Sequence, residues 1–143
     1  MPDAGTRHAA RERALGLLYE AESKGITPAA VVEALLVEPD PYAADVVVGV
    51  GAHLEFIDAL LRRFARNWDL ERMPSLDRAV LRMATYELAH RPDVPRNVVL
   101  NEAVELAKTF STDESGRFVN GMLSRIAEEV RPAVAEPEVC QPD

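Results

Sequence analysis

Apolar residues three and four positions apart recur through nearly the whole chain, and no stretch shows the period-two alternation or hairpin signal of a strand. A chain patterned in this way buries its apolar surface as packed helices, so the predicted class is all-α with six or seven helices. In the first segment Ala10, Ala14, Leu17, Leu18 and Ala21 share a stripe, with Thr6 as the expected N-cap and Gly25 as the stop. Thr27 and Pro28 open a short second helix, VVEALLV, which the EPDP loop breaks. Ala43, Val47, Val50, Leu54, Ile57, Leu61, Phe64 and Trp68 then predict one long helix. Gly49 and Gly51 weaken it by roughly 1 kcal/mol each relative to alanine, and such small residues suggest close packing. Ser75 is the expected cap of LDRAVLRMATYELAH, whose wide apolar face marks a central helix. VVLNEAVELAKTF follows, striped by Val99, Ala103, Leu106 and Phe110. The last helix sets Phe118, Met122 and Ile126 on one side, with Val119, Leu123 and Val130 beside them.

With 143 residues the chain is long enough for one domain, expected over residues 1–131, with 132–143 (PAVAEPEVCQPD) as a disordered tail. Aromatic residues make up only 6% of the sequence, so Leu, Val and Ala must build the core. No run reaches the roughly 20 apolar residues of a membrane span, and no basic-then-apolar leader is present, so the expected compartment is the cytoplasm. A single cysteine, Cys140, falls in the tail and rules out an internal disulfide. The net charge of −8 argues against gripping nucleic acid by bulk electrostatics. Its distribution is uneven: residues 37 to 61 hold five acids and no Lys or Arg, whereas residues 62 to 96 hold eight arginines against five acids. Any anion-binding surface must therefore be local.

Catalysis needs convergent groups, and the sequence offers none that stand out. His8, His53 and His90 fall in separate segments without metal-ligand spacing, and Glu102 and Glu105 read as a solvated helix face. A phosphate-binding loop and a nucleophile elbow are both missing. No enzyme activity, catalytic residue, metal or cofactor is expected.

Two elements attract anions. Arg7, His8 and Arg11 crowd the start of the first helix, where cations typically cost about 0.3 to 1 kcal/mol against the dipole, and Arg7 and Arg11 share one edge of its apolar stripe. The second element is STDESGRFVNG. Ser111 and Glu114 have the spacing of a capping box, which explains how a helix starts there but not why Arg117 is present. A helix start with Arg117 beside it and Lys108 one turn earlier seeks anions. Phe118 reads either as core or as a platform for a single-stranded base, and Asn120 as a donor and acceptor for a base edge or a neighbouring helix end.

The segments ARERALGLLYE, LDRAVLRMATYEL and DVPRNVVLNEAVELAKTFSTDESGRFVNGML, in that order and spacing, strongly resemble the NusB family of transcription antitermination factors. The resemblance covers residues 7 to 130, although residues 26 to 70 match mainly in pattern. It implies an all-helical domain of two packed bundles that binds the boxA element of ribosomal RNA leader transcripts. The implied partners are NusE, a ribosomal small-subunit protein, and the transcribing polymerase with the other Nus factors. By the same resemblance the RNA candidates are Arg7, His8, Arg11, Lys108, Ser115, Arg117, Phe118 and Asn120. The NusE-facing candidates are Tyr19 and Asp77, with Arg78 and Glu87 as neighbours. RHAAR stands where more basic members carry a denser arginine run, which implies weaker intrinsic RNA affinity. The family is compatible with monomers and homodimers. Two alternatives remain at this stage: a helical protein-interaction module without RNA binding, and the accessory domain of an rRNA methyltransferase.

Overall fold

The computed structural model describes residues 4–66 and 69–132. Trp68, Cys140 and the tail from residue 133 lie outside the described residues. The helices are α1 (Ala4–Lys24), α2 (Pro28–Glu33), α3 (Pro41–Ala52), α4 (Leu54–Phe64), α5 (Ser75–His90), α6 (Arg96–Phe110) and α7 (Asp113–Val130), with a 3-10 turn at Leu70–Arg72. No strand occurs among the described residues, so the all-α prediction stands. α1, α2 and α3 pack into one bundle and α4, α6 and α7 gather round α5 in the other, while α5 also packs on α1 and α3. That central position agrees with its wide apolar face: from Asp77 to Leu88 only Arg82 escapes full burial. Leu17, Leu61, Leu81, Leu106, Met122 and Leu123 are among the side chains fully enclosed in the shared core. Each contributes about 1.5 to 3 kcal/mol from leaving water.

Helix ends follow local chemistry, though not always at the expected residue. Gly25, at φ +69°, ends α1 as predicted. Its N–H donates to the Glu22 carbonyl at 3.2 Å and that of Ile26 to the Ala21 carbonyl at 3.0 Å, the paired bonds of a Schellman ending. Thr27 caps α2 by accepting from the Ala30 N–H at 3.1 Å. Thr6, however, is no N-cap, because helical backbone already begins at Ala4. α2 stops at Glu33 rather than running through VVEALLV, and the EPDP prolines act only later, on Glu38 and Asp40 before α3. Ser75 makes no side-chain cap bond and is the first residue inside α5, after an extended Pro74.

The predicted long helix is two helices, broken at His53. Its apolar period survives the break because both pieces pack on α5. The glycines that weaken it are needed for packing: a Cβ on Gly49 would lie 2.3 Å from the Tyr86 ring, and one on Gly51 would lie 3.2 Å from Pro28. Close helix approach thus takes the residues that would have held a continuous helix together.

Candidate nucleic-acid interface

The capping-box segment works one residue later than its spacing suggested. Thr112, not Ser111, is the N-cap of α7, and its Oγ1 accepts from the Ser115 N–H at 2.9 Å. Ser115 is buried and donates its hydroxyl to Asp77 Oδ2 at 2.9 Å, which ties the first turn of α7 to the first turn of α5. Glu114 is left exposed beside the positive end of the helix, where an acid is favourable. Gly116 is buried against α6: a Cβ there would lie 2.5 Å from Lys108 Cγ and 3.0 Å from its Cδ. Lacking that atom, α7 lets the Lys108 stem lie across its start.

Between α6 and α7 this leaves a cleft of 710 Å³ whose lining includes Asn101, Glu102, Glu105, Lys108, Arg117 and Asn120. Lys108 and Arg117 are exposed and form no ion pair among the described residues. The two asparagines are exposed as well and can hydrogen-bond base edges. Glu102 and Glu105 keep the cleft from being uniformly basic. It is suited to a strand that brings both phosphates and bases, and less to a bare anion.

At the start of α1 the three basic residues go three ways. The Arg7 guanidinium lies over the Tyr42 ring, 3.8 Å from its centroid, and forms no ion pair among the described residues. His8 is partly exposed, with Nδ1 2.8 Å from Glu102 Oε1 and Nε2 3.2 Å from Glu12 Oε2. Its hydrogen bond to Glu102 holds its pKa above the ordinary imidazole value, although partial burial works the other way. Arg11 is only 3% exposed and donates Nε to both Glu87 oxygens, at 3.2 and 3.1 Å, with Nη2 at 2.9 Å. Glu87 also accepts from the Tyr42 hydroxyl, so one buried acid joins α1, α3 and α5. The expectation that Arg7 and Arg11 together face a ligand is therefore corrected: Arg11 is spent inside the fold.

The same distinction sorts the remaining candidates. Tyr19 is 46% exposed and stands on the surface. Asp77, Arg78 and Glu87 are buried, so their side chains do not themselves form the outer surface. Arg78 donates Nη1 to the Leu70 and Met73 carbonyls at 2.9 and 2.8 Å and Nε to Glu22 at 3.0 Å, which fixes the turn before α5 to α1. Phe118 is half-buried and packs against the core.

Several residues that shape this region were not singled out from sequence. Glu102 was read as solvated face, yet it is the acid that holds His8. Gly116 carries a local signal, since a glycine inside a helix invites a packing reason. Tyr42 and Asn101 carry none. His53 and His90, in separate segments, stack with ring centroids 3.9 Å apart, and burial together with His53 pushes the His90 pKa down. No group of three metal-ligating side chains occurs among the described residues.

Comparison with known proteins agrees with this fold. Residues 8–128 match the NusB family. The chain is 47% identical over 126 residues to the transcription antitermination protein NusB of Kineococcus radiotolerans, covering 85% of this chain and 93% of that one. To the protein of that name from Sorangium cellulosum it is 48% identical over 132 residues, covering 88% and 94%. T. maritima NusB superposes with a TM-score of 0.80 at 37% identity, covering 88% of this chain and 93% of that chain. A chain from a crystal structure of antitermination factors NusB and NusE in complex with dsRNA superposes at 0.74 with 28% identity, covering 86% and 96%. The helical order and these matches along most of the sequence lead to one conclusion: the chain belongs to the NusB family of transcription antitermination proteins.

Proposed function

We propose that the opening turns of α1 and the α6–α7 cleft form one face that binds single-stranded boxA RNA, and that NusE docks at the surface around Tyr19. The observation that carries this reading is the 2.8 Å contact between His8 and Glu102, residues 94 positions apart, which sets the basic start of α1 against the wall of the cleft. On that face Arg7, His8, Lys108, Arg117 and Asn120 present charge and hydrogen bonds. Arg11 and Ser115 act from below as positioning residues, and Phe118 holds α7 to the core. Asp77, Arg78 and Glu87 brace α5 and α1 beneath the NusE surface.

The protein acts without catalysis, as a cytoplasmic elongation factor that joins the transcribing polymerase through NusE, its domain spanning residues 1–131. The structure of NusB and NusE in complex with dsRNA lends this reading its partners. The mixed lining of the cleft, with Glu102 and Glu105 among its cations, favours a second reading in which only the protein partner is kept.

Titration of short boxA-like RNA against a scrambled control, with and without NusE, separates the two. Preferential binding of boxA supports the first reading, and equal or absent binding of both RNAs overturns it. Arg117→Ala and Lys108→Ala should each make the slope of log affinity against log salt shallower by roughly 0.7, the single-strand value for one phosphate.

A further inference from the structure

The bundle of α1, α2 and α3 carries a surface that the RNA face does not use. Between α2 and α3 the chain runs Leu35, Leu36, Val37, Glu38, Pro39. Leu35 is half-buried and packs on the core, whereas Leu36 is 101% exposed and Val37 79%. Single exposed aliphatics are ordinary, whereas here two adjacent ones stand beside a groove between α2 and α3. The groove measures 570 Å³, is floored by Val32, Leu35, Pro41 and Ala44, and is rimmed by Glu33 and Glu38. Pro39 and Pro41 fix the loop backbone, so little ordering is left to a binding event. The charged residues that line it are both acids, while the cations Arg7 and Arg91 belong to the neighbouring pocket on the far side of Pro41. No Lys or Arg occurs between Lys24 and Arg62, and Glu33 and Glu38 form no ion pair among the described residues.

We propose that this α2–α3 knuckle docks a cationic, amphipathic segment of a partner protein. The segment's apolar side chains cover Leu36 and Val37 and enter the groove, while its Lys or Arg residues meet Glu33 and Glu38. The acidic rim repels RNA phosphates and anionic lipid headgroups alike. A two-fold contact with a second copy would set the same acids against themselves, since such an interface joins one patch to its own image. A basic protein segment is the occupant whose charge and apolar surface both fit. This surface does not depend on the RNA reading.

The test uses the full chain with nitrogen-labelled amides and two probes: a short peptide with lysines and leucines at helical spacing, and its counterpart with glutamates for the lysines. Amide shifts confined to residues 31–48 with the lysine peptide, and none with the glutamate peptide, are expected. Leu36→Ser/Val37→Ser and Glu33→Lys/Glu38→Lys, each checked for an unchanged thermal melt, should weaken binding about tenfold or more. Shifts elsewhere, or affinity untouched by either double variant, overturn the proposal. Sedimentation showing a dimer that the Leu36→Ser/Val37→Ser variant dissolves assigns the patch to self-association and also overturns it.

Discussion

Ser115, in the first turn of α7, donates its hydroxyl to Asp77 Oδ2 at 2.9 Å, and both side chains are buried. The carboxylate sits in the first turn of α5, where the positive end of the helix favours it, and its other oxygen, Oδ1, has no hydrogen-bond partner among the described residues. Removing the donor therefore leaves a buried acid under-satisfied. Ser115→Ala should lower unfolding free energy by about 1 to 3 kcal/mol. Asp77→Lys should be worse, because it buries a cation at the positive end of a helix, so any loss of NusE binding would come with loss of the fold. Denaturant midpoints of the two variants check this, and an Asp77→Lys protein as stable as the parent would show that the side chain reaches solvent.

Arg11 and Glu87 form the other buried tie, 76 residues apart in sequence. Arg11→Ala should cost about 3 to 5 kcal/mol, because it strands Glu87 in the core. Arg7→Ala should cost far less, since Arg7 leaves only a ring contact, yet it should weaken RNA binding more per unit of stability lost. Pairing Arg11→Ala with Glu87→Gln should restore part of the stability, as a neutral amide is cheaper to bury than an unpaired carboxylate. Urea unfolding of the three proteins measures the stabilities and RNA titration the affinity; equal small stability losses for Arg7 and Arg11 would contradict the burial of Arg11.

These two ties also show where sequence reading stopped. Periodicity exposes which face of each helix is apolar, so Ala14, Leu17, Val47, Leu81, Val99 and Met122 are legible as core in the sequence. It says nothing about partners from distant segments. Charged residues are expected outside, and Arg11, Asp77, Arg78 and Glu87 are inside only because each meets a partner on another segment. The break at His53 was hidden for a related reason: two helices that pack on the same neighbour share one period. The cationic candidates on the surface, Lys108 and Arg117, were legible because their types and spacing alone suggest a phosphate site. Glu102, which joins the two halves of the proposed site, resembles any solvated helix acid until His8 is placed beside it.

Gly116 tests how the cleft is shaped. Replacing it with alanine gains helix propensity of about 1 kcal/mol, but its Cβ would lie 2.5 Å from Lys108 Cγ. The Lys108 stem is flexible and can swing away, so stability should change by less than about 1 kcal/mol while the ammonium leaves the cleft. RNA affinity should fall, with the salt slope shallower by roughly the single phosphate expected for Lys108→Ala. If Gly116→Ala and Lys108→Ala weaken binding additively when combined, the glycine acts through something other than Lys108.

His8 gives the interface a pH dependence with a definite sign. Its hydrogen bond to Glu102 raises its pKa above the ordinary value near 6.5. The folded value exceeds the unfolded one, so the pair's stabilisation is fully present below about 6.5 and fades as pH rises through the folded value. His8 also carries positive charge on the proposed RNA face only while protonated. RNA affinity should therefore decline as pH passes upward through the raised His8 pKa, and His8→Ala should flatten that part of the profile. Glu102→Gln should move the midpoint down, because the amide removes the charge that favours imidazolium. An NMR titration of the His8 ring, run beside RNA titrations at each pH, compares the two midpoints directly. A His8 midpoint at or below the ordinary value would mean that the Glu102 contact does not govern its charge, and a midpoint unmoved by Glu102→Gln would lead to the same conclusion.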